Sequence, residues 1–214
     1  MQSPALELLS DRLFVQVPAV AAAPRMVDYC LRNRDHLTRW EPPRSNEYYT
    51  RRFWEQQFSA SRAEFEQGHS VRSVLIRRDP DAPQGGRSGP IVGVINLSQI
   101  VRGGFQAGIV GYSLDSEHQG LGLMREGLER LIEYAFLELG LHRVMANYRP
   151  ENERSARVLE SLGFEREGFA REYLYIDGAW RDHVLTSLIR PDRGLRHRSA
   201  TSNESTEQEE ARRR

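Results

Sequence analysis

Two closely spaced glycines, Gly120 and Gly122, most constrain how this chain can fold, because they separate a predicted strand from a predicted helix. The strand is Gly108–Leu114, and the helix is Leu123–Glu138, where apolar residues recur at helical spacing. Backbone N–H groups at the start of such a helix converge on one spot, and the positive end of the helix dipole lies behind them. Glu117–Met124 is therefore predicted to form a turn that suits a phosphate or pyrophosphate.

Several kinds of site use such a turn, and the residues around it exclude some of them. The phosphate loop of nucleotide hydrolases needs a lysine after its last glycine, but all 30 basic residues here are arginine. The missing lysine also excludes Schiff-base and pyridoxal-phosphate chemistry. A dinucleotide-binding fold fits poorly, because Arg125 replaces its third glycine and the loop follows a predicted meander. A purely structural connection stays open on the loop alone.

Charge and composition narrow the choice of partner. The 214 residues carry a formal net charge of +0, so we expect no global attraction to nucleic acid or membrane and predict no direct DNA contact. No apolar run reaches membrane-spanning length, and the N-terminus lacks the pattern of a signal peptide. The single cysteine, Cys30, permits no intrachain disulfide and no C-x-x-C site. A cytoplasmic monomer or homodimer is the expectation.

Periodicity and turn signals predict one mixed α/β domain over residues 1–190. Its order is strand, two helices, three antiparallel strands, helix, strand, helix and two strands. Asp177-Gly178 is a hairpin signal between the last two strands, and the polar residues 191–214 are predicted to be disordered. The predicted strands are Arg12–Val17, Ser70–Arg78, Ile91–Ile100, Gly108–Leu114, Arg143–Asn147, Phe164–Ile176 and Trp180–Ile189, and the predicted helices are Pro24–Asn33, Asn46–Gln67, Leu123–Glu138 and Asn152–Ser161.

Four further segments follow the glycine loop in a recognisable order: Leu141–Asn147, Asn152–Ser155, Leu162–Gly168 and Tyr175–His183. Together with the loop they resemble the GNAT acyltransferases, and among these the RimJ/RimL-type ribosomal-protein-alanine N-acetyltransferases. The resemblance extends from about residue 6 to residue 189. It implies a single GNAT-type domain, with a mixed, mostly antiparallel twisted sheet flanked by helices. It also implies acetyl-CoA as co-substrate and no metal.

The resemblance further implies which residues hold the coenzyme. Backbone N–H groups of the loop would hold its pyrophosphate, and the glycines allow close approach because they carry no side chain. The family often has arginine or glutamine where this chain has Glu117, so the loop relies on its amides, with Arg125 nearby. The cofactor-binding residues implied in this way are Leu114, Gln119, Gly120, Leu121, Gly122, Leu123, Met124, Asn152 and Ser155.

Direct acetyl transfer in a ternary complex needs a neutral amine, a donor to the thioester oxygen and a donor to the leaving thiolate. An α-amino group is about 10–17% neutral at pH 7, against less than about 0.1% for lysine, so an N-terminal acceptor needs only a weak base. Glu172, Asp182 and His183 are candidate bases, although each is also typical of a hairpin or strand edge. A backbone N–H near Ser113-Leu114 is the candidate donor to the oxygen.

The donor to the thiolate is predicted from the helix after Asn152. Many GNAT enzymes have a tyrosine seven residues beyond this asparagine, but this chain has Leu159 there. The RimJ/RimL-type pattern instead has a serine three residues beyond it, which is Ser155 here. We therefore predict Ser155 as the catalytic donor, with an ordinary polar residue at a helix start as the alternative. Asn152 is a candidate helix cap and is expected to bond the pantetheine arm.

The acceptor pocket of the family lies between the early helices and the last hairpin. The resemblance implies the N-terminal alanine of a small-subunit ribosomal protein as acceptor. A polyamine or an aminoglycoside stays open, as does a non-catalytic acetyl-CoA-binding or ribosome-assembly module. For the two tryptophans, ordinary core packing is the alternative. The predicted substrate-binding residues are Trp40, Glu41, Tyr175 and Trp180, with His36 and Tyr173 beside them.

Overall fold

A computed structural model describes residues 5–191, and its strands form one sheet. The strands are β1 (Leu6–Leu9), β2 (Leu13–Val17), β3 (Val71–Arg77), β4 (Ile91–Val101), β5 (Ala107–Leu114), β6 (Arg143–Tyr148), β7 (Glu165–Ile176) and β8 (Ala179–Ile189). Within these residues the order across the sheet is β1-β2-β3-β4-β5-β6-β8-β7, and every pair is antiparallel except β5 with β6. The predicted mixed, mostly antiparallel sheet is therefore confirmed.

Helices cover both faces of this sheet. They are α1 (Ala23–Arg32), α2 (Arg34–Thr38), α3 (Arg51–Glu66), α4 (Leu123–Leu137) and α5 (Glu153–Ser161). Two of them begin at side-chain caps, which satisfy N–H groups that have no partner inside the helix. The Thr50 hydroxyl accepts the N–H of Phe53 at the start of α3, and the Asn152 side chain accepts the N–H of Ser155 at the start of α5. The sequence thus determines where α5 begins.

The sheet separates two hydrophobic cores. Leu75 and Ile76 are neighbours in β3 and belong to different cores, as the alternation of side chains along a strand requires. Leu75 shares its core with Leu128 of α4, while Ile76 shares the other with Tyr29 of α1 and Phe58 of α3. Helices α4 and α5 therefore lie on one face of the sheet, and α1 and α3 lie on the other.

The two strands at the centre of the sheet diverge. Parallel pairing between β5 and β6 begins at Ala107 with Arg143 and ends at Ile109 with Met145, although both strands continue beyond these residues. β5 stays paired with β4 as far as Leu114, and β6 stays paired with β8 as far as its last residue. The inner edges of the two strands therefore open into a wedge, and the chain crosses from one strand to the other through α4.

Three sequence predictions need correction or limitation. The strand β1 and the helix α2 were not predicted, because segments of four and five residues carry too little periodicity. The helix predicted over Asn46–Gln67 begins only at Arg51, since Thr50 is extended with φ −109° and ψ 147° and the residues before it form a 3₁₀ turn. The disorder predicted for 191–214 lies outside the described residues, apart from Pro191.

Candidate active site

The glycine loop has the geometry of an anion-binding turn. Gly120 and Gly122 both have φ +75°, a left-handed conformation that glycine adopts without strain. Gly122 directly precedes α4, and no side chain of residues 5–191 caps that helix, so the N–H groups of its first turn remain available. A Cβ added at Gly120 would meet no atom within 4 Å. The loop therefore leaves open space at its backbone, which a ligand can approach closely.

Arg12, which immediately precedes β2, holds the loop. Its Nη1 donates to the carbonyl of Leu121 at 2.9 Å, and its Nε donates to Oε2 of Glu126 at 2.7 Å. The backbone N–H of Arg12 donates to the other oxygen of Glu126 at 2.8 Å. One residue thus fixes both the loop and the first turn of α4. No local sequence signal indicates this role, because more than a hundred residues separate Arg12 from the loop.

A second brace holds the entry to the loop. The carboxylate of Asp115 has 0% exposure and accepts hydrogen bonds from Asn33 at 3.1 Å and from Arg32 at 2.8 Å. It also accepts the N–H of Glu117 at 3.0 Å. Burial by itself raises the pKa of Asp115, but the hydrogen bonds from Asn33 and Arg32 outweigh it and lower the pKa to about 2. Asp115 therefore stays charged and ties α1 to the loop.

A cleft of about 710 Å³ opens in front of the loop, within the size range of small-molecule sites. It brings together most of the predicted cofactor-binding residues, from the end of β5, the loop and the start of α5. Leu121 is the exception, since its side chain is half exposed and its carbonyl bonds Arg12. The predicted residues that line the cleft are Leu114, Gln119, Gly120, Gly122, Leu123, Met124, Asn152, Ser155 and, on the acceptor side, Trp40 and His36.

Two hydroxyl groups meet inside the cleft. The Ser155 Oγ lies 2.7 Å from the hydroxyl of Tyr112, and both residues line the cavity. Burial raises the pKa of Tyr112 to about 12, and the hydrogen bond with Ser155 only partly opposes that effect. Sequence reasoning missed Tyr112, although its position two residues before Leu114 in a strand places both on one face. Leu159 has 1% exposure and belongs to the core beneath α5.

The side chain of Gln119 crosses the cleft. Its Nε2 lies 2.8 Å from Nε2 of His36 in α2, and its Oε1 accepts a hydrogen bond from Arg154 in α5. Arg125 and Arg157 also line the cavity, whereas Glu117 is exposed and does not. The acid at position 117 therefore lies apart from the lining. The charged residues that do line the cleft are Arg39, Arg125, Arg154 and Arg157, with Glu151 and Glu153.

The acceptor-side predictions divide into two groups. Trp40 lines the cleft, and the guanidinium groups of Arg39 and Arg149 lie over its ring at 4.5 and 5.3 Å. Glu41 does not line the cleft and forms an ion pair with Arg44 at 2.9 Å.

Tyr175 and Trp180 form the second group and lie in the hairpin of β7 and β8. Their rings pack edge to face at 5.7 Å, and both side chains are exposed. Neither lines the cleft, so the structure does not bring them together with Trp40.

The three candidate bases lie close together in sequence but have different environments. Glu172 has φ 49° at an irregularity in the β7–β8 pairing, and the Asp182 carboxylate accepts its N–H at 2.8 Å. None of the three candidate bases lines the cleft. His183 is buried, and its Nδ1 donates to the carbonyl of Arg181 at 3.1 Å, since a carbonyl can only accept. Burial lowers the pKa of His183, which favours the neutral imidazole.

The register of the sheet places His183 on the face opposite α4. In β8, His183 lies on the same face as Leu185, which pairs with Asn147 of β6. The Asn147 side chain donates to the hydroxyl of Tyr173 at 3.1 Å, and the ring of Tyr173 packs 5.3 Å from the imidazole of His183. These three side chains form a polar cluster on the sheet face opposite α4.

Comparison with known proteins identifies the family. The acetyltransferase (GNAT) domain family matches residues 12–165. The chain belongs to the GNAT acetyltransferases. It is 42% identical over 189 residues to the [ribosomal protein uS5]-alanine N-acetyltransferase of Escherichia coli K12, covering 88% of this chain and 93% of that protein.

Two solved structures give the same result for the fold of this GNAT enzyme. The ribosomal-protein-S5-alanine acetyltransferase of Vibrio fischeri superposes with a TM-score of 0.80 at 39% identity, covering 87% of this chain and 98% of that one. RimJ of Mycobacterium smegmatis, solved with CoA-disulfide, superposes with a TM-score of 0.75 at 27% identity, covering 85% and 83%. The predicted resemblance is therefore confirmed.

As a GNAT member, the chain is an acetyl-CoA-dependent acetyltransferase. Its cleft fits that co-substrate, because the glycine turn, the open space at Gly120 and the arginine lining suit a pyrophosphate. In residues 5–191, no group of three or more His, Cys, Asp or Glu side chains could hold a metal ion. No helix in that part of the chain is long and apolar enough to cross a membrane.

Proposed function

We propose that this GNAT enzyme transfers acetyl from acetyl-CoA to the N-terminal α-amino group of a small-subunit ribosomal protein, with alanine as the first residue. The transfer is direct, in a ternary complex in the cytoplasm. The observation that carries the proposal is the near-complete alignment with enzymes named for uS5-alanine and S5-alanine acetylation. The domain over residues 1–190 is proposed to contain the whole site.

The cofactor half of the site is proposed to rest on backbone groups. N–H groups between Gln119 and Met124 would hold the pyrophosphate, with Arg125 and Arg154 adding charge from the cleft wall. The unpaired edge near Leu114 offers backbone groups to the pantetheine arm and a donor to the thioester oxygen. Bound acetyl-CoA supplies an activated acetyl thioester. The remaining proposed contacts come from Gly120, Leu121, Gly122, Leu123, Asn152 and Ser155.

Glu172, Asp182 and His183 remain the candidates for the base that takes the amine proton. His183 is supported best, because its Nδ1 is anchored by a carbonyl and its lowered pKa leaves Nε2 able to accept a proton near pH 7. Asp182 is engaged with the N–H of Glu172. The charged groups that act on His183 are Arg149, Glu151 and Asp182, of which Glu151 also lines the cleft.

Ser155 is proposed to donate to the sulfur as it leaves. Its position on the first turn of α5 is fixed by the Asn152 cap at 3.1 Å, and its hydroxyl lies in the cleft. On the acceptor side, Trp40, Glu41, Tyr175 and Trp180 are proposed to contact the peptide. Only Trp40 lines the cleft itself, and Glu41 would have to exchange its partner Arg44 for the amine.

The charge around Trp40 favours a peptide over a polyamine. Arg39 and Arg149 lie over its ring, and the nearby carboxylates already have partners, Glu41 with Arg44 and Glu151 with Arg149. A polyamine brings several positive charges to this surface, whereas a peptide N-terminus brings one and can enter as the neutral amine. The electrostatics of the cleft mouth thus support the N-terminal acceptor.

Measuring thiol release with matched acceptors tests the proposal. The acceptors are a peptide beginning with alanine, the same peptide blocked at its N-terminus, spermidine and an aminoglycoside. We expect turnover with the free peptide and none with the blocked one. Turnover only with spermidine or the aminoglycoside would refute the proposed acceptor. A calorimetric titration that shows no acetyl-CoA binding would refute catalysis altogether and leave a non-catalytic module.

A further inference from the structure

The contact between Tyr112 and Ser155 joins two independently fixed elements. Tyr112 lies in β5, where it is paired with Ile95 of the neighbouring strand. Ser155 lies on α5, whose first turn is set by the Asn152 cap. Their hydroxyl oxygens are 2.7 Å apart at the point where the sheet has opened into its wedge. The backbones that carry the two hydroxyls are therefore held by separate parts of the fold.

The chemistry of the two hydroxyls decides which one donates. A buried phenol keeps its single proton, and within residues 5–191 its acceptors are Ser155 Oγ at 2.7 Å and the Ser155 carbonyl at 3.5 Å. The shorter contact is the stronger hydrogen bond. When Tyr112 donates to Oγ, the serine proton must point away from the phenol, and the open direction is the cleft.

We propose that Tyr112 is a positioning residue, which donates to Ser155 Oγ and thereby directs the serine proton toward the sulfur of the coenzyme. The proposal rests on the acetyl transfer proposed above and on Ser155 as donor. A serine on a helix often donates its proton to a backbone carbonyl one turn earlier, and the proton is then not available to the coenzyme sulfur. A hydrogen bond from Tyr112 occupies one of the two lone pairs of Oγ, so the serine proton points away from the phenol and is free to turn toward the cleft.

Tyr112 neither gains nor loses a proton during the acetyl transfer. The amine nitrogen bonds to the acetyl carbon, the carbon–sulfur bond breaks, and the electron pair leaves with sulfur. Ser155 stabilises that developing charge through its O–H, and both hydroxyls keep their protons. The proton lost by the amine passes to the base and solvent, and solvent returns one proton to the thiolate.

The first experiment uses Tyr112→Phe, Ser155→Ala and the double variant, with Tyr134→Phe as the matched control. Tyr134 also packs against the same core but lies on α4, and it does not line the cleft. We expect Ser155→Ala to lower kcat by about 10²-fold and Tyr112→Phe by about tenfold, with little change in KM for acetyl-CoA. The double variant should be no slower than Ser155→Ala, and Tyr134→Phe should match the wild type.

Two outcomes of that experiment would overturn the proposal. If Tyr112→Phe lowers kcat by the same factor in the Ser155→Ala background, Tyr112 does not act through Ser155. If Tyr112→Phe raises KM for acetyl-CoA while kcat stays constant, it only shapes the cleft.

A second measurement needs no acceptor amine, and so separates this proposal from the proposed function. The thiol of CoA bound to the protein is titrated by its thiolate ultraviolet absorbance. A donor aimed at sulfur favours the thiolate, so we expect the thiol pKa to rise by about one unit in Ser155→Ala and measurably in Tyr112→Phe. Unchanged titration in both variants would overturn the proposal, even if every acceptor is acetylated. The expected shift without turnover would instead count against the proposed function alone. Failure of CoA to bind would overturn both.

Discussion

Replacing Gly122 by valine changes the backbone where the glycine loop becomes helix α4. Gly122 has φ +75°, and a Cβ built there lies 3.5 Å from Nη2 of Arg12. Space is therefore sufficient, and the conformation is the main obstacle. The left-handed region costs a residue with a Cβ about 1–2 kcal/mol, and a β-branched residue more.

The strain can lower either the free energy of unfolding or the affinity for acetyl-CoA, and measuring both separates the two cases. If the loop keeps its shape, the strain lowers the free energy of unfolding by about 2 kcal/mol and leaves binding intact. If the loop relaxes, its N–H groups turn away and the strain appears in binding, at about tenfold in Kd for each 1.4 kcal/mol. Within residues 5–191, His36 and Arg154 hold the side chain of Gln119, but the side chain that bonds the backbone between the two glycines is Arg12, at 2.9 Å from the carbonyl of Leu121. We therefore expect this short segment to relax. The predicted rise in Kd for acetyl-CoA is about ten- to a hundredfold.

The assay is a calorimetric titration of acetyl-CoA, with thermal unfolding of the same samples. Gly103→Val is the matched control, because Gly103 has φ +70°, a Cβ there would meet no atom within 4 Å, and it lies in the β4–β5 turn. We expect the control to lose similar stability but to keep its affinity. Equal affinities in Gly122→Val and wild type would refute the assignment of the loop to the pyrophosphate.

Three further predictions concern the braces and the base. Arg12→Ala should lower affinity for acetyl-CoA several-fold by freeing the loop, whereas Arg51→Ala, which breaks only an exposed helix pair, should not; calorimetry compares them. The pKa of Asp115 is lowered from 3.8 to about 2, so its ionised carboxylate adds about 2 kcal/mol to the free energy of unfolding. This contribution is complete above pH 4 and is lost as pH falls toward 2. Unfolding of Asp115→Asn should lack this acid-dependent part, and identical pH profiles in the two proteins would contradict the network. His183→Gln should lower kcat by about 10²-fold. In the wild type, protonation of His183 should lower kcat/KM at pH values below 6.5, when kcat/KM is calculated on the concentration of neutral amine. His183→Gln should abolish this decline. A decline that persists in the variant would exclude His183 as the base.

The parts of the fold that the sequence predicted well carry dense local signals. The apolar stripe of α4, the two glycines before it and the Asp177-Gly178 turn each specify a conformation within a few residues. The predicted start of α3 was wrong. Tyr48 and Tyr49 continue the apolar pattern but lie in a 3₁₀ turn, and the extended Thr50 separates that turn from the helix. Periodicity alone cannot detect such a break, since it depends on one pair of backbone angles.

The candidate site shows the same limit more strongly. The loop could be predicted, since its function depends on neighbouring backbone groups. Strand alternation places Tyr112 on the face of Leu114, but the contacts that give Arg12 and Tyr112 their roles cross 109 and 43 positions of sequence and carry no local signal. Trp180 illustrates the converse: its residue type and its place in the hairpin suggested a pocket, but the strand register turns it outward to 59% exposure.

Acetyl transfer to an α-amino group can be tested directly with a single peptide. A peptide that begins with alanine and contains one internal lysine is incubated with the enzyme and acetyl-CoA, and the acetyl group is located by tandem mass spectrometry. We predict one acetyl group on the N-terminal alanine and none on lysine, because only the α-amine is appreciably neutral at pH 7. Acetyl on the lysine side chain, with a free N-terminus, would contradict it.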